Sequence, residues 1–159
     1  MAKIDDRELE SYTQDLWNTI IRLIHSFRSG MVFKKGNELS FPQTMLLIEL
    51  HQSGASSMGE LSQRLHITQG VTTRMVDRLV EKGLVERNRD EVDRRIVHVA
   101  PTKRGARLAC EIESINREKM KELFLGVPER KRTELLGFLK DMEQKFEREE
   151  VPEFDRDEK

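Results

Sequence analysis

The residues best equipped for chemistry in this chain lie in one short run, TQGVTTRMVDRLVEKGLV, residues 68–85. At about 100° per residue, Val71, Met75, Val76, Leu79 and Val80 fall on one side of a helix. The other side carries Gly70, Thr73, Arg74, Asp77 and Arg78, with Gln69 and Thr72 in the first turn. A guanidinium donates two parallel hydrogen bonds in a fixed fork. A carboxamide donates and accepts side by side, and a threonine hydroxyl is short enough to work against a close surface. The long Glu and Lys side chains usual on a solvated face come only at its end, Glu81 and Lys82. Such a set suits planar, paired hydrogen-bonding edges and phosphate oxygens.

Bond-breaking chemistry finds no comparable set. There is no glycine-rich phosphate loop, no H-E-x-x-H and no serine elbow, and the acids are spread over polar faces, so no enzyme and no cofactor is expected. The histidines, His25, His51, His66 and His98, form no pair at i, i+3 or i, i+4, so no helix presents two imidazoles and no metal is expected. Cys110 cannot form an internal disulfide and has Glu111 and Glu113 beside it, which disfavours a thiolate. It reads as a structural, half-buried cysteine rather than a redox sensor. No run of about 18 apolar residues spans a membrane, and MAKIDDRELE has no signal-peptide core. A cytoplasmic protein is expected.

The formal net charge of −1 hides an asymmetry. Residues 60–107 hold 11 Lys+Arg against 7 Asp+Glu, while both flanks are net acidic. The unusual helix therefore sits in the positive third of the chain, which implies an acidic partner.

The elements that must position this helix follow from periodicity and punctuation. From residue 7 to about 33, Leu9, Tyr12, Leu16, Ile20, Leu23 and Phe27 recur at helical steps, and KKGNEL breaks the pattern. Ser40-Phe41-Pro42-Gln43 matches a capping box and starts a helix over 41–53, with Met45, Leu46, Ile48 and Leu50 on its apolar side. Ser57-Met58-Gly59-Glu60 is a second capping box, opening a short helix through about Leu65. His66 and Ile67 separate it from Thr68, the expected N-cap of the next helix. Gly83 is a natural helix terminator. Leu84–Arg87 and Arg95–Val99 then read as two strands around the polar loop NRDEVD, a β-hairpin. Pro101-Thr102 stops the second strand and caps a helix carrying Leu108, Ile112 and Ile115. GVP interrupts at 126–128, and Leu135, Leu139, Met142 and Phe146 continue a last helix.

Short helix, tight turn, helix and hairpin in this order make a helix-turn-helix followed by a β-wing. In such a motif the second helix enters the DNA major groove. Arg74 can then fork onto guanine O6 and N7, and Gln69 can pair with adenine N6 and N7. Thr72, Thr73 and Arg78 suit phosphates, and Gly70 lets the duplex approach. The competing class is a winged helix that docks on protein. Its recognition helix would expose apolar residues instead of arginines.

Residues 40–105 resemble the DNA-binding lobe of the MarR family of regulators. The resemblance rests on LSQRLHITQGVTTRMVDRLVEKGLVER, then DEVDRR, then VHVAPTKRG. It implies a mainly α fold with a small β-wing, a winged helix-turn-helix with N- and C-terminal dimerisation helices. On that pattern residues 1–39 form a dimerisation helix and turn, 40–105 the DNA-binding lobe, and 106–148 the C-terminal dimerisation helices. The acidic tail, 149–159, lacks a period and reads as disordered. The resemblance further implies a homodimer on a near-palindromic operator, most often a repressor released by a small aromatic ligand; other members respond to oxidants or zinc. In the wing, Arg94 is the minor-groove candidate and Arg95 pairs with Asp90 to stiffen the loop. Val92, Glu91 and Asp93 depart from the family pattern there. A ligand pocket would draw on His25, Phe27, Met31, Phe33, Phe41 and Met45.

Overall fold

Six helices and three strands form among the residues that the structure, a computed structural model, describes: 6–30, 39–89 and 97–148. They are α1 (Asp6–Gly30), α2 (Phe41–Ser53), β1 (Ser56–Ser57), α3 (Met58–Arg64), α4 (Gln69–Glu81), β2 (Val85–Arg89), β3 (Val97–Pro101), α5 (Lys103–Leu123) and α6 (Glu129–Arg148). The chain divides within α5 into two units, Met1–Lys119 and Met120–Lys159. No helix of the described residues is long and apolar enough to cross a membrane.

The first unit holds the core. Leu46, Leu47 and Leu50 of α2 pack with Leu61 of α3, Val76 and Leu79 of α4, Leu84, Val85 and Val99 of the sheet, and Ala109 of α5, all buried. Truncating a leucine in such a cluster typically costs about 2–5 kcal/mol. Met45 and Ile48 are only half-buried, because the inward face of α2 runs through Leu46, Leu47 and Leu50. The first turns of α5 belong to this core, so the expected boundary at 105/106 falls inside a helix that begins at Lys103.

The sheet has one strand more than the expected hairpin. Its order is β1-β3-β2, with β1 pairing through Ser56↔Val99 and Ser57↔His98. Two serines give no period-2 signal; only the neighbouring β3 makes them a strand. Among the described residues β2 and β3 each run two residues past their expected ends, with Asn88 opposite His98 and Arg89 opposite Val97. Cross-strand pairing thus draws two polar residues out of the supposed loop. Pro101 is the last residue of β3. It lies beyond the reach of β1, so its missing N–H costs no ladder bond on that side.

Two helix faces stay uncovered. No described side chain of α1, residues 6–26, is buried; Leu9, Tyr12, Trp17, Leu23 and Ile24 are exposed. In the second unit, α6 exposes Leu135, Leu136, Phe138, Leu139 and Phe146.

Candidate nucleic-acid interface

The helix-turn-helix is built from local signals. At the start of α3, Ser57 N–H donates to Glu60 Oε2 at 2.7 Å and Glu60 N–H donates to Ser57 Oγ at 3.3 Å, closing the expected capping box. The bonds from the Ser57 backbone, then from its side chain, hold the exposed Glu60 carboxyl below its ordinary value. In the turn His66 takes a left-handed φ of 50°, uncommon for a residue with a Cβ. It holds there because His66 N–H reaches Gln63 O at 3.1 Å and Ile67 N–H reaches Ser62 O at 3.0 Å. Thr68 stands at the N-cap of α4 in extended geometry, but its side chain makes no capping bond.

α4 ends on Gly83, whose φ is 65°. Gly83 N–H bonds Val80 O at 2.8 Å and Leu84 N–H bonds Leu79 O at 2.9 Å, a Schellman pair. Thr102 then ties the helix end to the next helix. Its Oγ1 donates to Gly83 O at 2.9 Å and accepts from Gly105 N–H at 3.0 Å, the N-cap expected for α5. Arg104 Nη1 donates to Lys82 O at 2.9 Å, which places a cation at the carboxyl end of α4.

Gln69, Gly70, Thr73, Arg74 and Arg78 all lie exposed on α4. Among the described residues the Arg74 and Arg78 guanidinium groups have no hydrogen-bond or ion-pair partner, so all their donors are available. Asp77 stands between them with the wrong sign for DNA. It is taken up by Arg87 of β2, whose Nη2 lies 2.6 Å from Asp77 Oδ1. This pair ties the exposed helix to the first wing strand. A carboxylate between two arginines was its one signal in the sequence.

Two threonine assignments change. Thr72 is fully buried. Its Oγ1 donates to Thr68 O at 3.2 Å and lies 3.0 Å from Ser62 Oγ of α3. It therefore joins the two helices of the motif and cannot reach a phosphate. Thr73 is exposed, but its hydroxyl donates to Gln69 O at 2.8 Å. Its proton is used inside the helix, so it lacks the donor that a phosphate oxygen needs.

Asp90, Arg94 and Arg95 lie outside the described residues, as do Met31, Phe33 and the Phe27 side chain. Of the other pocket candidates, Phe41 and Met45 are half-buried and His25 is exposed. Cys110 is exposed rather than half-buried, because the inward face of α5 runs through Gly105, Ala109 and Ile112, one residue away in angle. No group of three or more His, Cys, Asp or Glu among the described residues could hold a metal ion. The sequence reading also missed Gly105, where a Cβ would lie 1.9 Å from Leu84 O.

A short helix, a left-handed turn and a helix with uncommitted arginines, tied to a three-stranded sheet, match a known design. The MarR family model matches residues 39–97. The structure of the transcriptional regulator BldR from Sulfolobus solfataricus is 31% identical, with a TM-score of 0.67 over 91% of this chain and 99% of that one. The chain belongs to the MarR family. It is a winged-helix, DNA-binding transcriptional regulator, and the family's fold is seen again in two more distant structures. Streptococcus pneumoniae FabT in complex with DNA aligns with a TM-score of 0.72 at 21% identity, covering 90% of this chain and 98% of that one. Bordetella bronchiseptica BpsR, whose DNA binding is regulated by 6-hydroxynicotinic acid, aligns with a TM-score of 0.67 at 21% identity, covering 81% and 98%.

Proposed function

We propose that this MarR regulator acts as a homodimer that occupies a near-palindromic operator and represses from it. The observation that carries the reading is the exposed face of α4, where Arg74 and Arg78 have no partner among the described residues and Asp77 is paired with Arg87. Arg74 and Gln69 read base edges, and Arg78 holds a phosphate. By the resemblance to the family, Arg94 is the residue proposed to contact the minor groove. The exposed apolar faces of α1 and α6 support the dimer, since stripes of that size on a monomer favour aggregation. A two-fold dimer sets its recognition helices about 34–36 Å apart, one DNA turn.

Selection of bound DNA from a random pool tests this. Two inverted half-sites about one helical turn apart are expected, with affinity falling steeply as salt rises because phosphate contacts release counterions. A sequence-independent pool, a single half-site, or a folded monomer in sedimentation at micromolar concentration overturns it. Placed across a promoter, the selected site should lower transcription when the protein is added.

A small aromatic acid releases the operator in this reading. Half-buried Phe41 and Met45 on α2 offer an apolar lining, and methionine adapts to varied ligands. The regulation of BpsR by an aromatic acid supports the same class of effector. Coupling is reciprocal, so salicylate should lower operator affinity by the factor by which operator lowers salicylate affinity. Calorimetry with and without operator measures both. Salicylate at millimolar concentration that neither binds nor changes DNA affinity removes this class of effector.

A further inference from the structure

The glycines of this chain divide by what the fold asks of them. Gly83 supplies a positive φ, and Gly105 makes room for a neighbouring carbonyl. Gly70 does neither. It is the second residue of α4, its φ is not in the positive region, and a Cβ built there meets nothing within 4 Å. Alanine would suit a helix better at such a position. Gly137 of α6 has the same freedom, but it lies between exposed Leu136 and Phe138, away from any polar reading face. At Gly70 the missing side chain instead leaves a notch on the helix that carries Gln69, Thr73 and Arg74.

The chemistry of that notch is set by Thr73. Its position, three residues on, is one turn along the same face. Because its hydroxyl donates back to Gln69 O at 2.8 Å, the methyl group is the substituent turned outward. The notch is therefore small and open, and one turn along its face Thr73 offers a methyl. Among base edges in the major groove only thymine presents a small apolar knob, its C5-methyl, and apolar contact with a threonine methyl is a known way of reading it.

The geometry points to Gly70 and Thr73 as a specificity pair that admits one thymine methyl in each half-site. This rests on α4 being the base-reading helix. Thymine is accepted because Gly70 leaves space for its methyl and Thr73 gives that methyl a contact. Any side chain at residue 70 fills the space.

The test replaces each thymine of the selected operator by uracil, which removes only the methyl group. Wild-type protein should lose about fourfold in affinity at one position per half-site, the worth of one buried methyl. Gly70→Ala should bind the thymine operator more weakly than wild type and prefer uracil at that position. Thr73→Ser, which keeps the hydroxyl, should bind both operators alike. The melting temperature of Gly70→Ala should be unchanged or raised by about 1–3 °C, so that lost binding is not lost folding. The inference is overturned if wild type is indifferent to every thymine methyl. It is equally overturned if Gly70→Ala binds the thymine operator as tightly as wild type, or weakens on thymine and uracil alike. If wild type selects no DNA sequence at all, the base-reading role of α4 fails first, and the two failures are told apart.

Discussion

Replacing Gly105 by alanine is expected to destabilise the protein by about 3 kcal/mol or more, at the upper end of overpacking costs. The added Cβ would lie 1.9 Å from Leu84 O, 2.9 Å from Leu84 C and 3.3 Å from Leu47 Cδ1. The first two are backbone atoms and cannot rotate aside. Leu84 O also accepts from Thr102 N–H at 3.0 Å, so moving it breaks a bond at the start of α5. The side chain of Leu84 is buried in the core, so the strain spreads to the α4–β2 junction. A domain of this size has only about 5–15 kcal/mol of stability to lose. Denaturant unfolding measures the change. Arg107→Ala, an exposed site on the same helix, should stay within about 0.5 kcal/mol of wild type. A Gly105→Ala protein as stable as wild type would mean that α5 does not lie against the Leu84 carbonyl.

Arg74→Ala should cost about 1–3 kcal/mol on the preferred operator and relax discrimination at one base pair per half-site. Arg78→Ala should weaken all sequences by a similar factor and reduce the salt slope by about one. The different outcomes follow from different partners. A forked pair of bonds to guanine depends on the base, whereas a phosphate contact does not. Both effects need the arginines to be uncommitted before DNA arrives, and Asp77 could otherwise hold either of them. Its 2.6 Å pairing with Arg87 leaves them available. Competition binding across single-base operator variants separates the two patterns. Identical profiles for the two mutants would show that the division between base and phosphate is wrong.

Much of the DNA-binding lobe was legible without coordinates. The apolar side of α4, the capping box at Ser57, the Thr102 cap and the Gly83 terminator each depend on residues within one or two turns of each other. Such signals survive in the order of the residues because the interactions are local. The hairpin of the wing was read from its two short strands and polar loop, and the resemblance to the MarR family added the expectation of a dimer.

What only the tertiary structure decided lies between elements far apart in sequence. At about 100° per residue Thr72 falls among Met75, Val76 and Leu79 on the apolar side of α4, so its burial was legible, but only the packing of α3 on α4 brings its hydroxyl to Ser62. Ser56 and Ser57 are a strand only because β3 runs beside them. Asp77 finds Arg87 across the α4–β2 turn, and Gly105 is needed only because the Leu84 carbonyl lies against it. The sequence by itself determined which helices and turns form and which residues could read DNA. The fold decided which of those residues remain available to do so, because burial and pairing depend on neighbours that local spacing does not specify.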